Sequence, residues 1–326
     1  MLGKLCIFAV NNKNNMTHSA RITPQTLRIA DTKFVDTYQF KSGHVAPIFD
    51  VESMHGLNQI IGHSKFNNRN YGRVYYRGQC ELYDQLLPSL FRKCKRTAVF
   101  ADLNKIIKSI YTDKKLANDL HVDASKKEIS SIKVEGILQH YGLPTRYIDL
   151  VDNHWVALWM GNNRFEEKQI KNKYCHFVQR EVLFEDVAGG IYTLPLNNKD
   201  LYQYILLLAL QYPKTNDEGV SLSDNHIFVD LRQALPSVFL RPHAQHGLVA
   251  RNKVPTEISV NDYDMSPSVV CILRLRIDKV SRWLGDGLML TQNNLFPPAG
   301  NDCGYDLLLS RNDIFSQPKF QIARYF

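Results

Sequence analysis

The stretch LQHYGLPTRYIDL, residues 138–150, decides how this chain is organised. The segment before it has apolar residues at roughly helical spacing and predicts a helix, with Ser125 and Glu128 as a capping box at its start. Gly142 is well placed to end this helix as its left-handed residue. Pro144 keeps the residue before it out of the helical conformation, so the chain has to turn sharply. The stretch therefore predicts a helix end followed by a tight turn.

Polar side chains are dense in this turn. They are Gln139, His140, Tyr141, Thr145, Arg146 and Asp149. Loops held in place by rigid elements carry a large share of binding and catalytic residues, so this turn is the first candidate for a functional site. An ion pair between Arg146 and Asp149, three residues apart, is the structural alternative for the same charges.

The length and composition are those of an ordinary globular protein. A chain of 326 residues can bury a sizeable core, and 44% hydrophobic with 22% charged residues is a typical balance. No apolar run reaches the length of a membrane span. The six cysteines are scattered without a C-x-x-C pair. We therefore expect a protein of the reducing cytoplasm, with no membrane partner and no disulfide framework.

The net charge of +8 is unevenly distributed. Eight basic and only two acidic residues lie between Arg92 and Lys115. Such a stripe can follow the phosphates of a nucleic acid or nucleotide. A helix face exposed to water gives the same pattern, and no aromatic-rich strand interleaves the stripe to stack bases. The solvated helix face is therefore the favoured interpretation.

Hydrophobic patterns elsewhere predict a mixture of helices and strands. Predicted strands include 73–79, 174–184, 189–196, 226–231 and 268–277, and predicted helices include 51–65, 99–120, 154–161 and 279–290. The apolar run 201–212 predicts a further helix, buried in the core and stopped by Pro213. Because these elements follow no strict βαβα rhythm, the expected fold is α+β, with a central mixed or antiparallel sheet and packed helices. We expect residues 1–50 to be an N-terminal extension and residues 51–326 to be one domain.

Three segments resemble the FRG domain family. The first carries the aromatic-Arg-Gly motif at residues 76–78, followed by Leu-Pro-Ser-Leu and Arg92. The second is Gln-His-Tyr-Gly-Leu-Pro-Thr-Arg, matched without a gap by residues 139–146, and then Asp149. The third has the Arg, Gln and Gly of the family at Arg241, Gln245 and Gly247. The resemblance covers about residues 50–310, and departs from the family where Pro298 stands at a position that is acidic in relatives.

The resemblance implies a bacterial or phage effector of the toxin or antiphage-defence type, because the family is best known from prophage-borne and defence-associated proteins. The first segment also resembles the first core strand of one class of ADP-ribosyltransferases. An ADP-ribosyltransferase-like core with NAD as substrate is therefore one expectation. The transfer would go to a protein or nucleic-acid acceptor, or to water, and an antitoxin or other partner protein is a further expectation.

The residue types fit that chemistry. The guanidinium of Arg77, at the end of a predicted strand, can hold the pyrophosphate of NAD in bidentate fashion. Gly78 beside it lets a dinucleotide approach the backbone. Breaking the bond to nicotinamide needs a carboxylate or amide near the ribose. Gln245 and Asp149 are candidates, as is Asp230.

His140 can act as a base or bind a ribose hydroxyl, since the pKa of a free imidazole is close to neutral. The predicted catalytic residues are thus Arg77, His140 and Gln245. The predicted NAD-binding residues are Gly78, Gln79, Tyr141, Thr145, Arg146, Asp149 and Arg241.

A non-catalytic module remains the alternative function. Its arginine-rich pocket would bind a nucleotide or nucleic acid through the basic stripe. Each proposed side chain also has a structural alternative, because buried histidines and glutamines commonly satisfy backbone groups. No metal is predicted, since the H-x-x-H spacing of His243 and His246 lacks further ligands.

Overall fold

The computed structural model describes residues 28–92, 99–123, 125–180, 201–254 and 259–325. The predicted strand 189–196 and residues 93–98 of the basic stripe lie outside these ranges. The described part combines helices with one large mixed sheet, which confirms the predicted α+β class. Among the described residues, no helix has both the length and the apolar character that crossing a bilayer requires.

Strands and helices alternate irregularly along the chain. The strands are β1 (Thr32–Gln39), β2 (Val45–Val51), β3 (Gly72–Gln79), β4 (Ile148–Val151), β5 (Asn163–Gln169), β6 (Lys173–Gln179), β7 (Tyr202–Gln211), β8 (Thr215–Asp217), β9 (Val220–Leu222), β10 (His226–Asp230), β11 (Gly247–Asn252), β12 (Val269–Arg276) and β13 (Arg324–Tyr325). The helices are α1 (Met54–Asn68), α2 (Ser89–Arg92), α3 (Val99–Thr112), α4 (Lys114–Asp119), α5 (Lys127–His140), α6 (His154–Asn162), α7 (Leu231–Ala234), α8 (Leu240–Gln245), α9 (Ile277–Trp283), α10 (Gln292–Leu295) and α11 (Cys303–Ser310).

The large sheet is made of two halves joined at a single residue pair. Its strand order is β1-β2-β12-β7-β3-β4-β11-β10-β9-β8. β3 pairs with β7 along its whole length, from Gly72 to Gln79. On its other side β3 meets β4 only where Tyr76 faces Val151. The two halves therefore separate on either side of this pair. A second, smaller sheet has the order β13-β6-β5.

Three apolar clusters hold the halves in place. One lies between α3, α4, α5 and the strands of the second half, and another lies between α1, α6, α9 and the strands of the first half. The third takes residues from both halves, including Tyr75 and Leu208 from the first and Leu150 and Leu248 from the second. Apolar packing, rather than backbone pairing, thus supplies most of the contact between the halves.

The run 201–212 is a strand, so its predicted helix is wrong. As β7 it lies between β12 and β3, and its residues pack on both faces of the sheet. A strand buried on both faces has no alternation of apolar and polar residues, and such a run looks like a buried helix in the sequence. Its expected place in the core is confirmed, because residues 205–210 are all buried.

The start of α5 differs from the prediction, while its end agrees. Lys126 is the residue before the first turn and makes no side-chain cap, and Ser125 binds Asp123 instead of closing a capping box. Gly142 has φ +90°, as the helix end requires. The predicted helix 99–120 is two helices, because Asp113 caps the start of α4.

The expected division at residue 50 stays a prediction. β1 and β2, which lie before it or across it, are strands of the large sheet. β2 runs parallel to β12, with Ile48 facing Ile272.

Gly78 allows α6 to lie directly on β3. A Cβ atom at this position would lie 1.8 Å from the carbonyl oxygen of Ala157 and 2.8 Å from the nitrogen of Gly161. No dinucleotide can approach the backbone on this face, because α6 occupies it. The glycine is therefore explained by helix packing and not by the close approach of a ligand.

We expect Gly78→Ala to lower the free energy of unfolding by about 3 kcal/mol or more, because the backbone of α6 would have to move. Gly62→Ala is the matched control, since nothing lies within 4 Å of a Cβ at Gly62 in α1. That control should gain about 0.5–1 kcal/mol. Urea unfolding measures both. A Gly78→Ala protein as stable as wild type would contradict the close packing of α6 on β3.

Candidate functional site

Arg77 lies where β3 and β4 separate. Its Nη1 donates a hydrogen bond to the backbone oxygen of Asp149 at 2.7 Å, across the gap between the two strands. Its Nε is buried and has no hydrogen-bond partner among the described residues. The Arg77 side chain keeps part of its surface exposed. A cationic group with spare donors thus lies at the line where the two half-sheets part.

A chain of hydrogen bonds holds the Asp149 carboxylate beside this arginine. Gln139 Nε2 donates to Asp149 Oδ2 at 2.7 Å. Gln139 Oε1 accepts from the hydroxyls of Thr145 at 2.6 Å and Ser89 at 3.3 Å. Gln139 is therefore fixed from both ends, with its amide nitrogen directed at the carboxylate. We call Arg77, Arg92, Gln139, Thr145 and Asp149 the Arg77 site.

The Arg77 site holds two guanidinium groups and one carboxyl group. Burial raises the pKa of Asp149, and the positive charges of Arg77 and Arg92 and the Gln139 hydrogen bond act in the opposite direction. Burial, and then the like charge of Arg92, lower the pKa of Arg77 to about 10. Arg77 therefore stays charged at neutral pH, and the site has an excess of positive charge that an anionic ligand can neutralise.

Arg146 does not join this site. Its Nε donates to Glu135 Oε1 at 2.9 Å, and its guanidinium lies 5.7 Å from the centre of the Phe100 ring. The ion pair with Asp149 considered as the structural alternative is therefore replaced by a pair with Glu135, a buried carboxylate on α5. Sequence spacing pointed to Asp149, which is only three residues away, whereas in the fold the partner is Glu135 on the preceding helix α5.

His140 lies in the core rather than in an open cleft. Burial, followed by the charge of Arg241, lowers its pKa to about 3. Within the described ranges its Nε2 is buried without a hydrogen-bond partner, and its Cε1 would lie 2.6 Å from a Cβ placed on Gly247. A base that works near neutral pH needs a higher pKa and an accessible nitrogen, so the structure gives His140 a packing role.

Arg241 is enclosed by aromatic rings. Its side chain is fully buried, and its Nη1 donates to the backbone oxygen of His140 at 3.3 Å. Its Nε and Nη2 have no hydrogen-bond partner in the part of the chain that the structure describes. We call the four surrounding rings the aromatic box. Their centres lie 4.4–5.4 Å from the guanidinium carbon, and they belong to Tyr141, Phe296, Tyr305 and Tyr325.

The remaining predicted residues near α8 also have structural partners. Gln245 Nε2 donates to the backbone oxygen of Leu295 at 2.6 Å. The Tyr141 hydroxyl donates to Asp302 Oδ2 at 2.9 Å, and the backbone nitrogen of Arg241 donates to the same oxygen. Gln79 is buried in β3, and its Oε1 accepts no hydrogen bond from any described residue. Neither Gln245 nor Tyr141 therefore has its polar group turned to the Arg77 site.

The structure thus sorts the predicted residues into two neighbouring groups. Arg77, Thr145 and Asp149 belong to the Arg77 site. His140, Tyr141, Arg241 and Gln245 belong to the packing around the aromatic box, and the two groups meet at the end of α5. Gln139, Arg92 and Ser89 were not among the predicted catalytic or NAD-binding residues, although all three lie in the family-like segments. Among the described residues, no group of three or more His, Cys, Asp or Glu side chains is arranged to hold a metal ion.

A separate cavity of about 90 Å³ lies towards the start of β3. It contains Asp230, the third acid considered as a catalytic candidate, but Asp230 is bound to Arg232 at 2.9 Å. The lining residues are Arg73, Tyr75, Leu210, Gln211, Tyr212, Pro213, Asn216, Gly219, Ser221, Phe228, Asp230, Gln233 and Leu248. None belongs to the Arg77 site, so Asp230 is set apart from Arg77.

Comparison with known proteins identifies a family for part of the chain. Residues 72–169 match the model of the FRG domain family. That segment runs from the start of β3 to the end of β5 and contains every member of the Arg77 site. No curated protein and no solved structure matches the chain.

The low pKa of His140 predicts a loss of stability in acid. Its pKa is about 3 in the folded protein against 6.5 for a free imidazole, so between these values only the unfolded chain takes up the proton. Wild type should lose on the order of 4–5 kcal/mol from this group as the pH falls through that range. His140→Gln should not show this part of the fall in the free energy of unfolding, because glutamine does not take up a proton in this pH range.

Urea unfolding at several pH values from about 7.5 down to 4 tests this prediction. Above the free imidazole pKa, the difference between the two proteins should not change with pH. Below it, the two stability curves should converge or cross. Parallel curves over the whole range would show that folded His140 takes up its proton as readily as the unfolded chain.

Proposed function

Starting from the match of residues 72–169 to the FRG domain family, we propose that this chain is an enzyme that uses NAD, as an ADP-ribosyltransferase or an NAD glycohydrolase. One observation carries the proposal. The charges of Arg77 and Arg92 both lower the pKa of a single partly exposed carboxyl group, that of Asp149, at the line where the two half-sheets part. Clefts with perturbed ionisable groups are favoured places for chemistry.

Arg77 and Arg92 supply the binding of the pyrophosphate. Arg77 donates from Nη1 to the Asp149 backbone, and its Nε has no acceptor among the described residues. Arg92 uses Nε on the Leu87 backbone and is exposed. Two planar guanidiniums with remaining donors suit the oxygens of two linked phosphates.

Asp149 supplies the negative charge that the reaction needs. The bond between the nicotinamide nitrogen and ribose C1′ breaks, and its electron pair leaves with nicotinamide. The ribose then carries oxocarbenium character, which an ionised carboxylate stabilises. A nucleophile adds to C1′ and gives up its proton. Gln139 keeps the carboxylate in place, since its amide nitrogen donates to Oδ2.

The nucleophile decides which enzyme this is. Water gives NAD hydrolysis, and a side chain or a nucleic-acid group gives ADP-ribosylation. Lys105, Lys108, Lys114 and Lys115 are exposed on α3 and α4, on the chain that follows Arg92. They form the solvated face expected from the basic stripe, and such a face also attracts a polyanionic acceptor. A toxin or antiphage effector with a protein antitoxin fits either reaction.

A non-catalytic nucleotide-binding module is the second candidate. The observation that favours it is that His140 and Gln245, two of the three predicted catalytic residues, are used in packing and backbone bonding. Asp149 is then the one described group of the Arg77 site that could act on a substrate as an acid or a carboxylate. A pocket with two cations and one carboxyl group binds an anion without necessarily changing it. Nicotinamide release from NAD distinguishes this function from the enzyme.

We expect Arg77→Lys to lower nucleotide affinity by about 10- to 100-fold, the loss of a charge-assisted hydrogen bond made by a planar fork. Nicotinamide release should fall with it. Arg73→Lys is the matched control, because Arg73 is an exposed residue of the same strand outside the site. Calorimetry with ADP-ribose measures affinity, and chromatography measures nicotinamide.

The outcomes separate the two functions. Release in wild type that is lost in Arg77→Lys supports the enzyme. Binding of ADP-ribose without release of nicotinamide, whichever acceptor is added, supports the non-catalytic module. Release that persists at the wild-type rate in Arg77→Lys would refute the Arg77 site.

The raised pKa of Asp149 predicts a pH dependence. If the ionised carboxylate is required, kcat/KM should rise with pH through a value above 3.8, the ordinary pKa of this group. Arg92→Gln should move this rise to higher pH, because the Arg92 charge lowers the Asp149 pKa. Arg69→Gln serves as control, because the native Arg69 side chain donates to the Phe66 backbone at the end of α1 and takes no part in the Arg77 site. A shift to lower pH in Arg92→Gln would contradict the assignment.

A further inference from the structure

The cavity towards the start of β3 has an apolar floor and a fixed wall. We call it the β3-start cavity, and its volume is about 90 Å³. Leu210, Phe228 and Leu248 line it and are buried members of the third apolar cluster. The wall is held at Gly219, where φ is +82° and a Cβ would lie 2.8 Å from the backbone nitrogen of Ala234. The cavity is therefore formed before any ligand arrives, as small-molecule sites usually are.

Two side chains of β3 give this cavity a cationic edge. Arg73 and Tyr75 both line it, on the same face of the strand, and Arg73 faces Leu210 of β7. Burial raises the pKa of the Tyr75 hydroxyl, and the charge of Arg73 acts in the opposite direction. The effect of Arg73 exceeds that of either Asp230 or Asp152. The guanidinium of Arg73 is therefore the charged group that acts most strongly on this hydroxyl.

Arg73 has no carboxylate partner in the described part of the chain. The two acids on this side of the sheet, Asp152 and Asp230, each pair with Arg232 at 2.8 Å. Both oxygens of Asp230 accept hydrogen bonds from that arginine. A guanidinium left without a protein carboxylate can hold the carboxylate of a ligand with two parallel hydrogen bonds. The charge at the edge of the cavity thus favours an organic anion.

Further polar groups of the lining are also unused. Ser221 of β9 pairs with Phe228 of β10, so both side chains lie on the face of the sheet that carries the cavity. Ser221 is buried, and its hydroxyl makes no hydrogen bond to a described residue. Gln211 of β7 has a buried Oε1 that is likewise unpaired within the described ranges. Because buried polar groups ordinarily have partners, these groups indicate a place for a bound molecule.

The volume of the cavity limits the apolar part of such a molecule. A cavity of about 150 Å³ lined by Leu, Ile and Phe side chains holds the six carbons of benzene. In proportion, about 90 Å³ holds an apolar body of roughly three or four carbons. A whole nucleotide is much larger than this.

We propose that the β3-start cavity binds the ionised form of a short-chain carboxylic acid. The carboxylate accepts hydrogen bonds from Arg73 and Tyr75. The aliphatic body packs on Leu210, Phe228 and Leu248. This site is distinct from the Arg77 site, and the inference does not rest on the use of NAD. The walls from β7 to β11 lie outside residues 72–169, so the family match alone does not describe the cavity.

Butyrate is the probe for the apolar body, in an NMR titration of protein with ¹³C-labelled leucine methyl groups. Leu248→Met identifies the Leu248 resonance with little change in volume. Acetate has the same charge and two fewer methylenes, so butyrate should bind about tenfold more tightly. Equal affinities for the two acids, or a Leu248 resonance that butyrate does not shift, would overturn the proposal.

Arg73→Gln tests the carboxylate end, because it removes the guanidinium of an exposed residue. The dissociation constant for butyrate should rise about tenfold or more, as for a lost charge-assisted hydrogen bond. That for butyramide, the neutral analogue, should change little. Tyr75→Phe should weaken butyrate binding about fivefold. Arg164→Gln is the control, since it removes an exposed charge on β5, away from the cavity.

Wild-type butyrate affinity in Arg73→Gln would overturn the role of the guanidinium. Arg77→Lys should leave butyrate affinity unchanged, and a loss there would overturn the separation of the two sites. A protein that binds butyrate in this cavity and neither binds nor cleaves NAD would refute the proposed function while supporting this inference.

Discussion

One side-chain hydrogen bond crosses the gap between the two halves of the large sheet. β3 and β4 share a single residue pair, Tyr76 with Val151, and beyond it the Arg77 side chain reaches the Asp149 backbone at 2.7 Å. A side chain there replaces the backbone ladder that ordinarily joins neighbouring strands. The backbones of β3 and β4 therefore diverge beyond this pair, while apolar side chains of the two halves still pack together. The gap exposes a charged side chain and a carboxyl group at the edge of an otherwise closed core.

Several of the buried polar atoms that have no hydrogen-bond partner among the described residues lie around the end of α5 and on Arg77. They include Nε of Arg77, Nε2 of His140, and Nε and Nη2 of Arg241. Each such atom costs free energy, because it leaves water without gaining a hydrogen bond. The aromatic box offsets part of that cost for Arg241 through cation–π contacts. A fold that keeps this many unmatched groups in one region stores instability where binding is proposed, which is a recurrent property of functional sites.

Local patterns predicted the elements that depend on near neighbours. The strand 73–79 agrees with β3, the helix 154–161 agrees with α6 capped by Asn153, and Gly142 ends α5 with a positive φ. The run 201–212 was assigned to a helix because complete burial removes the period that tells helix from strand. Of the predicted site residues, Arg77 and Asp149 lie together, and their roles stay predictions. Gln139, the amide that links Asp149 to Thr145, was not among the predicted catalytic or NAD-binding residues.

The sequence by itself determined the turn after α5, the α+β class and the likeness of residues 72–169 to the FRG domain, because these follow from breakers, periodicity and ungapped motifs within short segments. The tertiary structure alone decided the partner of each charged group. Arg146 pairs with Glu135 and not with Asp149, Gly78 makes room for α6 and not for a ligand, and His140 is too buried to hold a proton near neutral pH. Burial and pairing depend on residues far away in the chain, and Tyr325 reaches the turn only because β13 joins β6.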